Sequence, residues 1–170
     1  MSYTLEFMNQ LWQLDAGGRA RLKRNAGQSY GEARNVYDVF FRMLPHGVPD
    51  YAYDDYFLVA TLFSIGTRLP REQQHESRAA QPLNPKESFG AALRKEREQR
   101  NNQTGSLDRR FNALLDADRE QLPFRLRQIV RLLASRQIMI NWSQLLDDLQ
   151  KWDHQDRYIQ RRWAEHYYKK

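Results

Sequence analysis

Apolar side chains recur every three or four residues along most of this 170-residue chain, the spacing of an amphipathic helix. In the first third the pattern predicts three helices, each with one apolar face. Their apolar positions are Leu5, Met8, Leu11 and Trp12, then Val36, Val39, Phe40 and Met43, then Tyr56, Phe57, Val59, Ala60 and Phe63.

Capping and breaking residues set the limits of these helices. Ser2 or Thr4 can cap the first helix, and residues 15–18 (DAGG) are typical of a helix stop. A short basic turn or helix is expected at residues 19–24. The second helix should end before Pro45, where residues 46–49 form a loop, and the third should end at Gly66.

The second half of the chain carries the more regular pattern. Residues 87–98 have helical composition, and residues 100–105 break it. Ser106 is expected to cap the next helix, and Pro123 fits the start of the one after it. Asn141 or Ser143 can cap a further helix, before a last one. The predicted apolar positions are Phe89, Ala92 and Leu93, then Phe111, Leu114 and Leu115, then Leu126, Ile129, Val130 and Leu133, then Trp142, Leu145, Leu146, Leu149 and Trp152, and finally Ile159 and Trp163.

The fold class that follows is all-α, because no segment has the two-residue period of a strand. Residues 67–86 are polar, contain three prolines and lack periodicity, which predicts a loop or linker there. We therefore expect a two-part helical bundle, with an N-terminal helical domain at 1–86 and a C-terminal bundle at 87–170.

Charge favours a polyanionic partner. The 27 basic and 21 acidic side chains give a formal net charge of +6. Residues 1–66 carry a net −1, residues 67–106 a net +3 and residues 107–170 a net +4, so the excess lies after residue 66. The absence of cysteine is compatible with a cytoplasmic protein. No apolar run has the length of a membrane span, and the first 25 residues do not fit a signal peptide.

Catalytic and metal-binding signatures are missing from the sequence, so no enzyme activity and no cofactor are predicted. The four histidines are widely spaced, and a metal pair of His154 and His166 is disfavoured. Asp116 and Asp118 would diverge on a helix, and are expected to end one helix and cap the next. Residues 147–148 (DD) are interpreted as a solvated helix face.

Arginine is the residue on which a binding hypothesis can be built. Arg127 and Arg131 are spaced to share the solvent side of one helix, and Arg125 and Arg136 to lie together on its flank. Planar guanidinium groups bind phosphate bidentately. The predicted nucleic-acid-binding residues are Lys23, Arg24, Arg94, Lys95, Arg109, Arg110, Arg125, Arg127, Arg131 and Arg136. Residues 161–162 (RR) form another basic pair beside Trp163. Contacts of this kind would read the strand backbone and not base sequence.

Several segments together carry a resemblance to a known family. They are residues 107–119 (LDRRFNALLDADR), 126–133, 140–149 (INWSQLLDDL), 152–154 (WDH) and 159–164 (IQRRWA), with 11–15 (LWQLD), 21–24 (RLKR) and 88–93 (SFGAAL) nearer the N-terminus. This combination resembles the CasB family, the small subunit of the type I-E Cascade surveillance complex of CRISPR immunity.

The resemblance implies a non-catalytic helical subunit in a cytoplasmic antiviral complex. Its implied partners are the backbone and large Cascade subunits, CRISPR RNA indirectly, the target and displaced DNA strands of an R-loop, and a second copy in a homodimer. Residues 49–53 (PDYAY) depart from the basic contact expected there, and residues 67–86 match nothing in the family.

Two functions of different class remain open from the sequence. One is sequence-independent binding of DNA by the basic residues, which would stabilise an R-loop. The other is a helical protein–protein scaffold whose arginines dock acidic surfaces of partners. Salt-dependent DNA binding separates the two, because a pure scaffold would not bind DNA near physiological salt.

Overall fold

The computed structural model describes residues 2–67 and 87–169, and over those residues the fold is all-α, as predicted. Two short 3₁₀ helices, Arg34–Val36 and Asp50–Ala52, precede α3 and α4 respectively. The α-helices are α1 (Tyr3–Gln13), α2 (Ala16–Arg24), α3 (Tyr37–Met43), α4 (Tyr53–Gly66), α5 (Phe89–Glu98), α6 (Gly105–Leu115), α7 (Leu122–Ser135), α8 (Trp142–Leu149) and α9 (Tyr158–Tyr168).

Helix α1 begins where the sequence predicts, but α2 begins at Ala16, before the basic turn or helix that was expected at residues 19–24. The Ser2 hydroxyl accepts from the Leu5 amide at 3.3 Å and caps α1. Asp15 is not part of a stop: its carboxylate accepts from the Gly18 amide at 2.7 Å and caps α2. Residues 17–18 therefore lie inside a helix. A Cβ at Gly18 would lie 2.8 Å from Leu14 Cδ1, so the small residue makes room for that side chain.

Helix starts in the second half follow the sequence in two of three places. Asn141 caps α8 by accepting from the Gln144 amide at 3.0 Å, and Pro123 lies in the first turn of α7. The prediction of Ser106 as a cap is wrong, because α6 already begins at Gly105. Asp118 accepts from the Gln121 amide at 2.8 Å, which supports the turn that leads into α7.

Helix α4 is the centre of the molecule. Its residues from Asp55 to Phe63 are all buried, and it packs against α2, α7 and α8. The stretch from Asp55 to Phe63 has no solvent face, so its sequence is apolar almost throughout. Since α7 and α8 come from the second half of the chain, buried apolar residues of both halves form one continuous core.

The predicted apolar faces are buried with few exceptions. All four predicted positions of α7, Leu126, Ile129, Val130 and Leu133, are buried. In α1 the buried face includes Phe7, whereas Leu5 is 53% exposed. The predicted apolar face of α1 included Leu5 and left out Phe7, because this helix has apolar residues on more than one side.

The pair α5 and α9 makes the closest helix contact. A Cβ at Gly90 would lie 2.1 Å from the backbone carbonyl oxygen of Trp163, so only glycine fits between these helices. The Trp163 ring is fully buried and packs on Phe89, with 5.1 Å between ring centroids. The α5–α9 pair therefore depends on one glycine and one tryptophan.

Asp148 corrects the prediction that residues 147–148 are a solvated face. Asp148 is 1% exposed on the inner side of α8. It accepts hydrogen bonds from Trp163 Nε1 at 2.6 Å, from Gln144 Nε2 at 2.8 Å, and from Arg162. A carboxylate in this position joins α8 to α9.

The predicted loop at 67–86 and the predicted boundary between two domains are not tested by the described residues. Apart from Thr67, the predicted loop at 67–86 lies outside the described residues, and the domain boundary at 86/87 stays a prediction. In the described ranges 2–67 and 87–169, no helix is long and apolar enough to cross a membrane.

Candidate nucleic-acid interface

The C-terminal end of α2 and the first turns of α7 bring predicted basic residues together. Lys23 and Arg24 are exposed in the last turn of α2 and have no acidic partner among the described residues. The chain then turns at Gly27, whose φ of +91° is costly for other residues. The Arg127 side chain lies directly over this turn, since a Cβ at Gly27 would be 3.0 Å from Arg127 Cδ.

This contact fixes the spacing of the cluster. Gly27 follows Arg24 by three positions, so their Cα atoms lie within about 11 Å of each other. Arg131 is exposed and follows Arg127 by one turn, about 6 Å along the helix axis. We call Lys23, Arg24, Arg127 and Arg131 the α2–α7 basic surface.

Arg127 is held by packing, and its guanidinium forms no ion pair with any residue that the structure describes. The prediction placed it on the solvent side, but its side chain is half-buried and its Nε atom is buried without a hydrogen-bond partner in the described part of the chain. Gly27 lacks an acceptor for its own N–H there as well. An anion at this turn would meet a guanidinium that packing already holds in place, so less conformational entropy is lost when it binds.

The sequence spacing predicted that Arg125 and Arg136 lie together on one flank of α7, and the structure shows that this prediction is wrong. Arg125 is in the first turn of α7 and lies 6.0 Å from the Phe124 ring centroid. Arg136 follows the last residue of that helix. An eleven-residue separation corresponds to about 16 Å along a helix. Only Arg125, whose Nε atom is buried and unpartnered within 2–67 and 87–169, lies at the same end as the Gly27 turn.

Three predicted residues carry an acidic partner. Lys95 Nζ lies 2.6 Å from Glu87, and Arg94 Nε lies 2.8 Å from Glu98. Arg136 Nε lies 3.5 Å from Oε2 of Glu96, which is fully buried and also binds Arg100. Each of these side chains thus lies within 4 Å of a carboxylate, with which an approaching phosphate would have to compete.

The remaining predicted pair, Arg109 and Arg110, lies in α6, which packs on α7. Both side chains are exposed, and neither meets an acidic group among the described residues. The other basic pair divides: Arg161 is exposed, whereas Arg162 binds the buried Asp148. Adjacent arginines in a sequence can thus have opposite roles.

The sequence analysis missed one arginine that is exposed without an acidic partner and one that has a structural role. Arg34 is exposed at the start of a 3₁₀ helix without an acidic partner in the described ranges, and no sequence pattern marked it. Arg119 is a structural residue: it binds Asp55, Asp153 and the Leu149 carbonyl oxygen at 2.9 Å. Burial raises the pKa of Asp55, and the negative charges of neighbouring aspartates add to that effect, while Arg119 opposes it.

Among the described residues, no cluster of side chains forms a catalytic or metal site. His166 Nδ1 lies 2.7 Å from the Ser88 hydroxyl, which is buried and also caps α5. His154 contacts Asp156 and Tyr158 instead. Within residues 2–67 and 87–169, no three His, Asp or Glu side chains are grouped as metal ligands. The arrangement offers unpaired cations beside a glycine turn, which suits phosphate binding.

The comparisons with known proteins agree on one family. The sequence profile described as CRISPR-associated protein Cse2 matches residues 18–168 of this chain. A Cse2 protein from Thermus thermophilus is 48% identical over 65 residues, which are 38% of this chain and 37% of that protein. The aligned part thus spans little more than a third of that curated relative.

Solved structures extend the likeness over almost the whole chain. The M. ruber CasB structure has a TM-score of 0.76 and 30% identity, and the alignment covers 99% of this chain and 93% of that one. A Cse2-family structure from Thermus thermophilus has a TM-score of 0.68 and 27% identity, with 99% of each chain covered. A chain of a CRISPR RNA-guided surveillance complex shares the fold at a TM-score of 0.75 and 21% identity, with 97% and 91% covered.

The profile match and the M. ruber structure each cover far more than half of the sequence, and they name the same family. The family prediction made from the sequence is therefore confirmed, and this chain belongs to the CRISPR-associated Cse2 (CasB) family.

Proposed function

We propose that this protein is the non-catalytic small subunit of a type I-E Cascade complex and that it holds DNA strands of an R-loop by their phosphate backbone. Family membership supports assembly in such a complex, as does the shared fold of a chain from a CRISPR RNA-guided surveillance complex. The observation that carries the DNA contact is the α2–α7 basic surface, where Arg127 lies over Gly27, in the turn that follows Lys23 and Arg24 in the chain.

The physical task fits residues of this type. Exchanging a DNA duplex for an RNA–DNA duplex is nearly neutral in free energy, so modest contacts to strand backbones can shift the balance. Those contacts need to be independent of sequence, because the guide RNA already supplies specificity. Unpaired arginines and lysines meet that need, since a guanidinium or ammonium group reads phosphate and not base edges.

The ten predicted residues contribute unequally to this proposal. We place Lys23, Arg24, Arg127 and Arg131 at the centre of the DNA path, with Arg109, Arg110 and Arg125 as further contacts. Arg94, Lys95 and Arg136 contribute less, because each lies within 4 Å of a glutamate. We also propose contacts to backbone and large Cascade subunits, self-association as a homodimer, and a cytoplasmic location.

The test is a salt titration of DNA binding by a double variant of α7. Arg127→Gln with Arg131→Gln keeps most of each side-chain stem and removes two charges. Fluorescence anisotropy with a labelled single strand of about 20 nucleotides, comparable to the heteroduplex of Cas9-type RNA-guided effectors, should show a lower affinity. The slope of log K against log salt should fall by about 0.7 for each lost phosphate contact, or about 1.4 in total.

A matched control removes two charges that already have partners. Arg94→Gln with Lys95→Gln lowers the net charge equally, but it should leave the slope within about 0.5 of the wild-type value, since these cations are paired. Equal losses in the two double variants would show a general effect of net charge and would contradict a defined DNA path.

The scaffold hypothesis makes the opposite prediction for the wild-type chain. If the arginines only dock acidic protein surfaces, the purified subunit will not bind single-stranded or duplex DNA near physiological salt. A second measurement keeps the role in the complex separate: the α7 double variant should still co-elute with CRISPR RNA and the backbone subunits on size-exclusion chromatography. Loss of co-elution would mean that these arginines serve assembly.

A further inference from the structure

A second surface, distinct from the α2–α7 basic surface, lies at the start of α4. A groove of about 820 Å³ runs between the turn after α2, the first turns of α4 and α7, and the segment after α8. Its walls include Tyr30, Tyr51, Asp54, Glu120 and Lys151. This volume exceeds that of one side chain and matches the range of sites that take a ligand or a short peptide segment.

The charge of the groove is opposite in sign to that of the whole chain. Four carboxylates line it (Asp54, Asp55, Glu120 and Asp153), against two cations (Arg119 and Lys151). Arg119 is already engaged by Asp55 and Asp153. Asp54 and Glu120 are exposed and have no ion pair in the described part of the chain. In a chain with a formal net charge of +6, this groove is a local centre of negative charge.

Aromatic rings stand beside these carboxylates. Tyr51 is 84% exposed, far more than any other large hydrophobic side chain in the described ranges. Tyr30 is half-buried and anchored among other rings, with 5.1 Å to the Tyr37 ring centroid and 5.9 Å to that of Tyr53. One wall therefore presents a fixed ring, and Tyr51 next to it is open to a partner from outside.

We propose that this groove docks an arginine-bearing segment of a partner protein. A guanidinium group can lie on a tyrosine face while it binds a carboxylate with its planar fork. The groove offers both groups at one place, with Tyr51 and Tyr30 for the ring contact and Asp54 and Glu120 for the charge contact. Tyrosine and arginine are also among the residues that most often dominate the binding energy of protein interfaces.

A nucleic acid strand is a poorer occupant for electrostatic reasons. Its phosphates would lie against Asp54 and Glu120. Of the two cations in the groove, Arg119 is engaged by Asp55 and Asp153, which leaves Lys151 to offset the repulsion. Repulsion of that kind costs affinity and excludes the wrong partner. The same chain therefore presents a cationic surface for a polyanion and an anionic aromatic groove for a cation.

The experiment is a titration of the full ¹⁵N-labelled chain with an acetylated peptide of three arginines alternating with glycine. Amide signals of Tyr51, Asp54 and Glu120 should shift together, while the same peptide with citrulline in place of arginine should leave them unshifted. Asp54→Asn with Glu120→Gln should weaken binding about fivefold, since two exposed charge contacts are lost. Tyr51→Ala should weaken it about threefold at unchanged charge.

A matched control variant changes two carboxylates that lie outside the groove. Glu6→Gln with Asp116→Asn removes the same charge outside the groove, and neither side chain has a partner among the described residues. Equal weakening by this control, or shifts scattered over the surface, would overturn the proposal. So would sedimentation data in which Tyr51→Ala abolishes self-association, because the occupant would then be a second copy.

DNA binding separates this proposal from the proposed function. Tyr51→Ala should leave the affinity for single-stranded DNA unchanged, because Tyr51 lies outside the α2–α7 basic surface. If single-stranded DNA shifts the groove amides as the arginine peptide is expected to do, the groove belongs to the DNA path and the docking proposal fails. A failure of peptide binding alone would overturn the docking proposal and leave the DNA function intact.

Discussion

Replacing Asp148 by alanine should destabilise the protein far more than the same change at its neighbour Asp147. Asp148 is 1% exposed and accepts from Trp163, Gln144 and Arg162. Asp147 is half-buried and accepts only from the Thr4 hydroxyl, at 2.6 Å, among the described residues. The two positions differ by one residue in sequence but by their whole environment in the fold.

The magnitude follows from what each donor loses. The indole N–H of Trp163 is fully buried, and leaving it unsatisfied costs about 1–3 kcal/mol. The Arg162 side chain is 36% exposed, so water replaces most of its lost ion pair, and we assign it no more than about 1 kcal/mol. Gln144 is half-buried and can turn to solvent. The expected total is about 2–4 kcal/mol for Asp148→Ala, against less than about 1 kcal/mol for Asp147→Ala.

Thermal unfolding followed by circular dichroism measures the difference. For a chain of this length, 1 kcal/mol corresponds to about 2–4 °C in Tm, so the loss of about 2–4 kcal/mol in Asp148→Ala should lower Tm by roughly 4–16 °C. Asp147→Ala should lower it by no more than about 4 °C. If the two variants melt within about 2 °C of each other, Asp148 does not join α8 to α9 in solution, and the reasoning from burial is wrong.

Three further results are expected. Gly90→Ala should cost about 3 kcal/mol in urea unfolding, because its Cβ would meet the Trp163 carbonyl oxygen at 2.1 Å; an unchanged midpoint would contradict the close helix contact. Gly27→Ala should cost about 1–2 kcal/mol at a φ of +91° and raise the Kd for single-stranded DNA by displacing Arg127; unchanged binding would remove that turn from the site. Burial raises the pKa of Asp108, but the hydrogen bonds that the carboxylate accepts outweigh burial, and the net pKa is lowered. The contribution of Asp108 to the unfolding free energy should therefore be lost as pH falls below about 3.9. Asp108→Asn should flatten the dependence of the unfolding free energy on pH in that range.

The helices themselves were predictable because their apolar periodicity reflects burial on one side. In α7, whose inner face packs on α4 and α6, the predicted stripe is the buried stripe. In α1 two stripes compete, and which one is buried depends on how α3 and α8 pack against it. Periodicity alone cannot choose between them, which is why Phe7 was missed and Leu5 was placed inside.

Errors about polar residues have a different origin. Glycines 17–18 suggested a stop because glycine lowers intrinsic helix propensity, but the Asp15 cap and the fit against Leu14 outweigh that cost. Asp148 and Arg162 belong to helices separated by a loop, and nothing local to either residue indicates the other. Ion pairs between distant elements are a property of the fold.

The same consideration decides what the positive charge can do. Within one stretch of chain, Arg119 is fixed between Asp55 and Asp153, whereas Arg127, further along, meets no carboxylate in the described ranges. Residue type and net charge do not distinguish these two arginines. Among the described residues, acidic side chains neutralise the arginines that join the helices, and unpaired cations remain at the end of α2 and along α7, as well as at Arg34, Arg109, Arg110 and Arg161. A DNA strand would therefore meet a local surplus much denser than the average charge of the chain suggests, and its binding should follow the number of unpaired cations on that surface.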